Sequence, residues 1–186
     1  MGSKNRLSVD ALIYFFFRSG EDEETFRGKQ LAPWVPTRTE LIPYIMKLAK
    51  VGRGDVFYDL GCGDGRVVIE AVKRGAKGVC VDINPDLINE AKLKAKAEGV
   101  YDKIKFINTD FFNVPLQDAT VIYMYLLTFV NALLRDKLEK ETKEGTRIVT
   151  LDFEIPLWTP IHKIRVPIGY RDAVIYLYIR GKSDNQ

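Results

Sequence analysis

Val56–Phe57–Tyr58–Asp59–Leu60–Gly61–Cys62–Gly63–Asp64–Gly65–Arg66 is the stretch on which the reading of this chain turns. An apolar run ends in an acid, three glycines follow at alternate positions, and residues 67–72 then have the composition of a helix. A short apolar run closed by turn residues is the pattern of a parallel strand buried on both faces. Glycine reaches backbone angles that other residues resist and lets main chain approach a ligand closely. The helix start beyond it offers free N–H groups and a partial positive charge. Strand, tight turn and helix N-terminus therefore read as one unit at the carboxyl end of a sheet.

Such a turn suits a dinucleotide or another adenosine compound, and the spacing favours the second. The dinucleotide fingerprint has two residues between its second and third glycines, whereas Gly63 and Gly65 have one between them. With its acid two residues ahead, Asp59-x-Gly61-x-Gly63-x-Gly65 resembles the first motif of class I methyltransferases that use S-adenosyl-L-methionine. The resemblance implies that Asp59 faces the amino group of the donor's methionine part, directly or through water. A second signal lies further on. Gly78–Val79–Cys80–Val81–Asp82 is a short apolar strand ending in an acid. An acid at the end of the second strand suits the vicinal hydroxyls of a ribose. Ile83 follows it into the same site, and Asn84–Pro85 supplies a cap and first residue for the next helix.

The 186 residues suit one domain with a sizeable core. Apolar content of 46% with 28% charged residues is that of an ordinary globular chain. The net charge of +3 is too small to argue for nucleic acid. No run is long enough to span a bilayer, and no signal peptide is seen. Cys62 and Cys80 have no paired spacing for zinc or a redox motif, so no metal is expected and a reducing cytoplasm is the default. The single histidine, His162, excludes chemistry that needs several imidazoles.

Residues 1–31 read as a helical extension. The apolar stretch 9–17 suits packing on the core, on a second copy of the chain, or on a membrane surface, although its polar face lacks the Lys and Arg that the last would favour. Residues 32–37, with two prolines around Trp34, read as a stiff extended arm. Thr37 and Glu40 have capping-box spacing, which predicts a helix over 38–50. Strands are expected at 103–108, 119–125 and 147–152, the last extended through Phe153–Glu154–Ile155. Two more, 161–166 and 173–179, form a hairpin about Gly169–Tyr170. After the third strand, Asp110 and Phe111 stand where class I methyltransferases meet adenine. The segment Tyr125–Leu126–Leu127–Thr128–Phe129–Val130–Asn131 faces the transferable methyl. It has no Asn/Asp-Pro-Pro-Tyr segment for a planar amine, and no cysteine for attack on cytosine.

With the Pro-Trp-Val-Pro-Thr arm and the Tyr-Leu-Leu-Thr-x-Val-Asn segment both in view, residues 32–181 resemble the small archaeal protein-lysine methyltransferases. These are similar to the core of the non-SET histone lysine methyltransferases. The family's usual tyrosine is Trp34 here. The resemblance implies an α/β, Rossmann-like class I fold: seven strands, mostly parallel, helices on both faces and a C-terminal antiparallel hairpin, with 182–186 as a tail. It implies that the arm covers the donor, so Pro36 and Thr37 join Asp59, Gly61, Gly63, Gly65, Asp82, Ile83, Asp110, Phe111 and Leu126 as donor contacts. Trp34, Tyr125 and Phe129 would line a channel for a lysine presented by a protein substrate, and Asp152 and Glu154 stand at its rim. Methylation of RNA or a small molecule, and donor binding without catalysis, stay open as alternatives.

Overall fold

The computed structural model describes residues 28–31 and 34–184. The apolar 9–17 stretch and most of the expected extension lie outside them. Seven strands form one sheet: β1 (Val56–Leu60), β2 (Lys77–Asp82), β3 (Ile104–Asn108), β4 (Val121–Met124), β5 (Arg147–Leu151), β6 (His162–Ile168) and β7 (Arg171–Ile179). Their order is β3-β2-β1-β4-β5-β7-β6. The first five pair in parallel, and β7 runs antiparallel between β5 and β6. Four α-helices accompany them among the described residues: α1 (Ile42–Leu48), α2 (Arg66–Lys73), α3 (Pro85–Ala97) and α4 (Thr128–Glu141).

Alternation along each strand separates two cores. Phe57, Cys80, Tyr123 and Val149 join α1, α2 and α3 on one face. Tyr58, Val79, Val81, Ile122 and Ile148 join α4 on the other. The β1 chain is buried from Phe57 onward because both its faces are covered and both its edges are paired. The sheet reverses direction of connection at β1, leaving a crevice beyond the carboxyl ends of β1 and β4, the place where open α/β sheets hold ligands.

Several local expectations change. Asn84 does cap α3, its Oδ1 accepting from the amides of Asp86 and Leu87. The Thr37–Glu40 capping box does not form. Residues Thr39–Leu41 make a 3-10 turn, and α1 begins only at Ile42 with Pro43 in its first turn. Glu40 pairs with Arg38, and the Thr37 hydroxyl turns inward to Tyr123 instead. The fifth strand stops at Leu151. Asp152 adopts φ +61°, and the Phe153 and Glu154 carbonyls accept from Asn131 Nδ2 at 3.2 Å each, so 153–155 turns across the sheet end. The two cysteines, unrelated by sequence spacing, form a disulfide: the β1–β2 register sets Cys80 beneath the glycine loop that carries Cys62. The chain end is tied in as far as it is described. Ser183 is buried and its carbonyl accepts from Thr159 N–H, so the fold continues past 181.

Candidate functional site

The strand ends come first. The Gly61 and Cys62 amides donate to the Val81 carbonyl at 2.8 and 2.9 Å, which carries the chain from β1 over the end of β2. Gly61, Gly63 and Gly65 all adopt positive φ, and Gly65 caps α2. Gly63 N–H donates to Asp82 Oδ2 at 2.8 Å, and Asn84 N–H donates to Asp82 Oδ1 at 2.9 Å. One carboxylate thus fixes both the glycine loop and the start of α3, with lone pairs left toward the cleft.

That cleft encloses about 780 Å³, part of it open to solvent. Its size is that of a small-molecule site. Trp34, Pro36, Thr37, Asp59, Gly61, Asp82, Ile83, Asp110, Phe111, Tyr125 and Leu126 all line it. Three expected residues do not. Gly63 lies under the Trp34 indole, where an added Cβ would come within 2.9 Å of Cδ1. Gly65 packs on Ala91 of α3, and Phe129 lies partly buried at the start of α4 against the second core. Trp34 is 45% exposed, so it belongs to the arm's covering surface and not to the core.

Asp59 is 2% exposed, and its Oδ2 has no hydrogen-bond partner among the described residues. Burial pushes its carboxyl well up, and the neighbouring Asp82 charge pushes it further. An orphaned buried carboxylate oxygen on the wall of a cleft is a site that a cationic group would satisfy. Asp110 caps a short turn through Phe112 N–H at 3.0 Å, and its other oxygen accepts from Gly28 N–H at 2.7 Å. Lys29, Gln30 and Leu31 follow Gly28 along the cleft wall. Phe111 and Phe112 meet at 5.1 Å in a tilted pair on the same turn.

At the opposite end Tyr125 stacks on Phe153 at 6.3 Å, and its hydroxyl donates to Asp152 Oδ2 at 3.2 Å. Burial, then the Asp152 charge, raises the Tyr125 phenol above its ordinary value, so it stays protonated. Asp152 is not a free rim charge: Arg171 pairs with it at 2.9 Å and Val174 N–H donates to its other oxygen. Glu154 pairs with Lys163 at 3.4 Å.

Sequence reasoning passed over a third group. Asp64, 2% exposed, receives Arg66 Nε and Nη2 and also Lys94 Nζ. Burial alone would raise its carboxyl, but the Arg66 and Lys94 bonds outweigh burial and hold it at about 2. Arg66 Nη1 also donates to the Thr37 carbonyl at 3.1 Å, and the Thr37 hydroxyl shares a 2.9 Å bond with buried Tyr123. Asp64, Arg66 and Tyr123 all reach the cleft. The only signal in the sequence is Arg66 itself, a cation at a helix N-terminus where the dipole disfavours one.

The chain is similar to several known proteins. The model of the ANTKMT methyltransferase domain matches residues 59–162. A protein-lysine N-methyltransferase of Saccharolobus islandicus (strain REY15A) is 43% identical over 152 residues, 81% of this chain and 94% of that relative. The adenine nucleotide translocase lysine N-methyltransferase of Mus musculus is 32% identical over 130 residues, 69% of this chain and 56% of that relative. Among solved structures, an RNA methyltransferase from Salinibacter ruber in complex with S-adenosyl-L-homocysteine superposes with a TM-score of 0.75 at 36% identity. That match covers 82% of this chain and 98% of the other.

Proposed function

The chain belongs to the ANTKMT methyltransferase domain family, and on that premise we propose that it methylates the side-chain amines of lysines in protein substrates. It is a methyltransferase whose donor is S-adenosyl-L-methionine. The observation that carries the reading is the orphaned Asp59 carboxylate inside a cleft that opens on the aromatic ring of Tyr125. The residues present fit the donor: Asp59 answers its ammonium, Asp82 its ribose hydroxyls, and Asp110 with Phe111 its adenine. Gly61, Ile83, Leu126, Pro36 and Thr37 wall the cleft between them, and Gly63 and Gly65 shape the loop.

When bound, the donor supplies a methyl group on a positively charged sulfur. The chain's own work is at the acceptor. A lysine amine ordinarily titrates near 10.4, and it must be neutral to attack. Desolvation among the Trp34, Tyr125 and Leu126 side chains disfavours the ammonium form. Tyr125, kept protonated beside Asp152, offers an oxygen that can accept from the incoming amine without acting as a strong base. Trp34 closes the other side and excludes water. The nitrogen gains the methyl and releases a proton to solvent. Phe129 stands outside the cleft lining, in the first turn of α4, which starts three residues after Tyr125.

Protein presenting exposed lysines is the partner we infer, and the cytoplasm the compartment. The Cys62–Cys80 disulfide then points to a cytoplasm in which buried disulfides persist, as in hyperthermophilic archaea. RNA methylation is the second reading, favoured by the likeness to the RNA methyltransferase from Salinibacter ruber. Methyl transfer from isotopically labelled donor to a cell lysate, with protein and RNA separated afterwards, decides between them. Label at lysine in tryptic peptides is the expected result, and label confined to RNA would overturn the acceptor assignment.

A further inference from the structure

Arg66 breaks a local rule. A cation at the first position of a helix faces the positive end of the dipole, and such departures concentrate at functional sites. Asp64 offsets it: the guanidinium binds this carboxylate through Nε at 3.0 Å and Nη2 at 2.6 Å. The fork leaves Nη1, which donates to the Thr37 carbonyl 29 residues earlier in the chain. Thr37 lies outside any helix or strand, so this bond meets a main-chain acceptor that no ladder serves. The same residue is held from its other side by Tyr123 at the end of β4. Three residues away, the Trp34 indole rests on Gly63. The arm therefore touches the glycine loop at two points, one of them a charge-assisted bond.

We propose that Arg66 is a positioning residue that latches the 34–37 arm to the glycine loop, so that arm and loop close over the donor as one piece. It rests on the donor assignment above and is independent of the acceptor. Lysine in its place would keep the charge beside Asp64 but lacks the planar fork that reaches two partners at once. Lys94 stays on Asp64 when Arg66 is replaced, so the buried acid is never left alone.

The experiment compares wild type, Arg66→Gln and Arg66→Lys in the full chain. It reads S-adenosyl-L-homocysteine binding by stopped flow and amide exchange by mass spectrometry. The expected result is a roughly tenfold weakening in both variants, the scale of one bond to a charged group, carried mainly by faster dissociation. Amide exchange should accelerate at 34–38 and remain at the wild-type rate in β2 and α3. Unchanged exchange at 34–38, or faster exchange there with wild-type affinity, overturns the latch. So does faster exchange across the whole domain in Arg66→Lys, which would make the residue a general support. Wild-type protein that bound no S-adenosyl-L-homocysteine would strike at the donor assignment instead, and exchange at 34–38 would still test the latch.

Discussion

Asp59 and Asp64 stand five residues apart with carboxyls shifted in opposite directions. Asp59 is raised by burial and by Asp82, and its Oδ2 has no partner among the described residues. A carboxyl raised on folding contributes stability that is full below its unfolded value, near 3.8, and lost as pH rises toward the folded value. Asp59→Asn removes that burden. It should stabilise the donor-free protein by about 1 kcal/mol, or roughly 2–4 °C in Tm, and weaken S-adenosyl-L-methionine at least tenfold by calorimetry. A lower Tm would refute the sign. In the wild type, pairing with an ammonium favours the ionised carboxylate. Donor binding should therefore release protons, and affinity should rise with pH across the range in which Asp59 ionises. Binding heats in buffers of different ionisation enthalpy test this. Asp59, Asp82 and Asp110 were legible because each closes a strand or opens the turn after one. Arg66 and Tyr123 were not. Their shared partner, Thr37, lies 29 residues from one and 86 from the other, and no local pattern encodes that meeting.

At the scale of the element, the glycine loop is constrained from two directions. Gly63 and Gly65 both have positive φ, so alanine costs about 1 kcal/mol at either on backbone grounds. Their neighbours then differ. At Gly63 the new Cβ meets the Trp34 indole, a side chain on an exposed arm that can swing away. At Gly65 it meets Ala91 Cβ at 2.8 Å, fixed to the backbone of α3. Gly65→Ala should therefore lose about 1–3 kcal/mol more than Gly63→Ala in urea unfolding, while Gly63→Ala should shift the Trp34 fluorescence. Equal unfolding midpoints would discount the α3 contact. The disulfide closes an 18-residue separation between loop and β2. In the chain-entropy account its removal costs about 3 kcal/mol. Thermal unfolding with and without reductant should show a corresponding drop, and superposable curves would show that the bond contributes nothing. The strands and the hairpin were legible from apolar runs and β-branched composition. The capping box misled because Thr37 had a better partner in Tyr123. The fifth strand was drawn too long because alternation says nothing of the left-handed turn at Asp152.

Across the whole molecule, the proposed donor end and the proposed acceptor end of the cleft rest on different parts of the sheet. Asp59 lies near the end of β1, Asp82 ends β2 and Asp110 follows β3. Tyr125 follows β4 and is steadied by Asp152 and Arg171 at the β5–β7 side. Trp34 lines the same cleft from outside the sheet, with its indole against Gly63. Trp34→Ala should therefore lower turnover more than donor affinity, about tenfold against a few-fold, since a residue that positions the acceptor acts chiefly in the transition state. Equal losses in both would make Trp34 a donor contact only. The fold class followed from the sequence, and the proposed donor end was readable there, because both are built from consecutive strand–turn–helix units. The acceptor end needs strands far apart in the chain, and there family resemblance had to supply what periodicity lacks. The strand order also sets a sequence in time. During synthesis β1, β2 and β3 are complete by residue 108, but one edge of β1 stays open until β4 is made at 121–124. An unpaired apolar edge invites pairing with another nascent chain, and non-local parallel pairing forms slowly. Chains released before β4 should aggregate, whereas chains released after β7, which covers the open edge of β5, should stay dispersed. Sedimentation of stalled translation products of graded length would reveal that step, and aggregation independent of length would refute it. The same central position that makes β1 the floor of the donor site makes it the strand most exposed while the protein is being born.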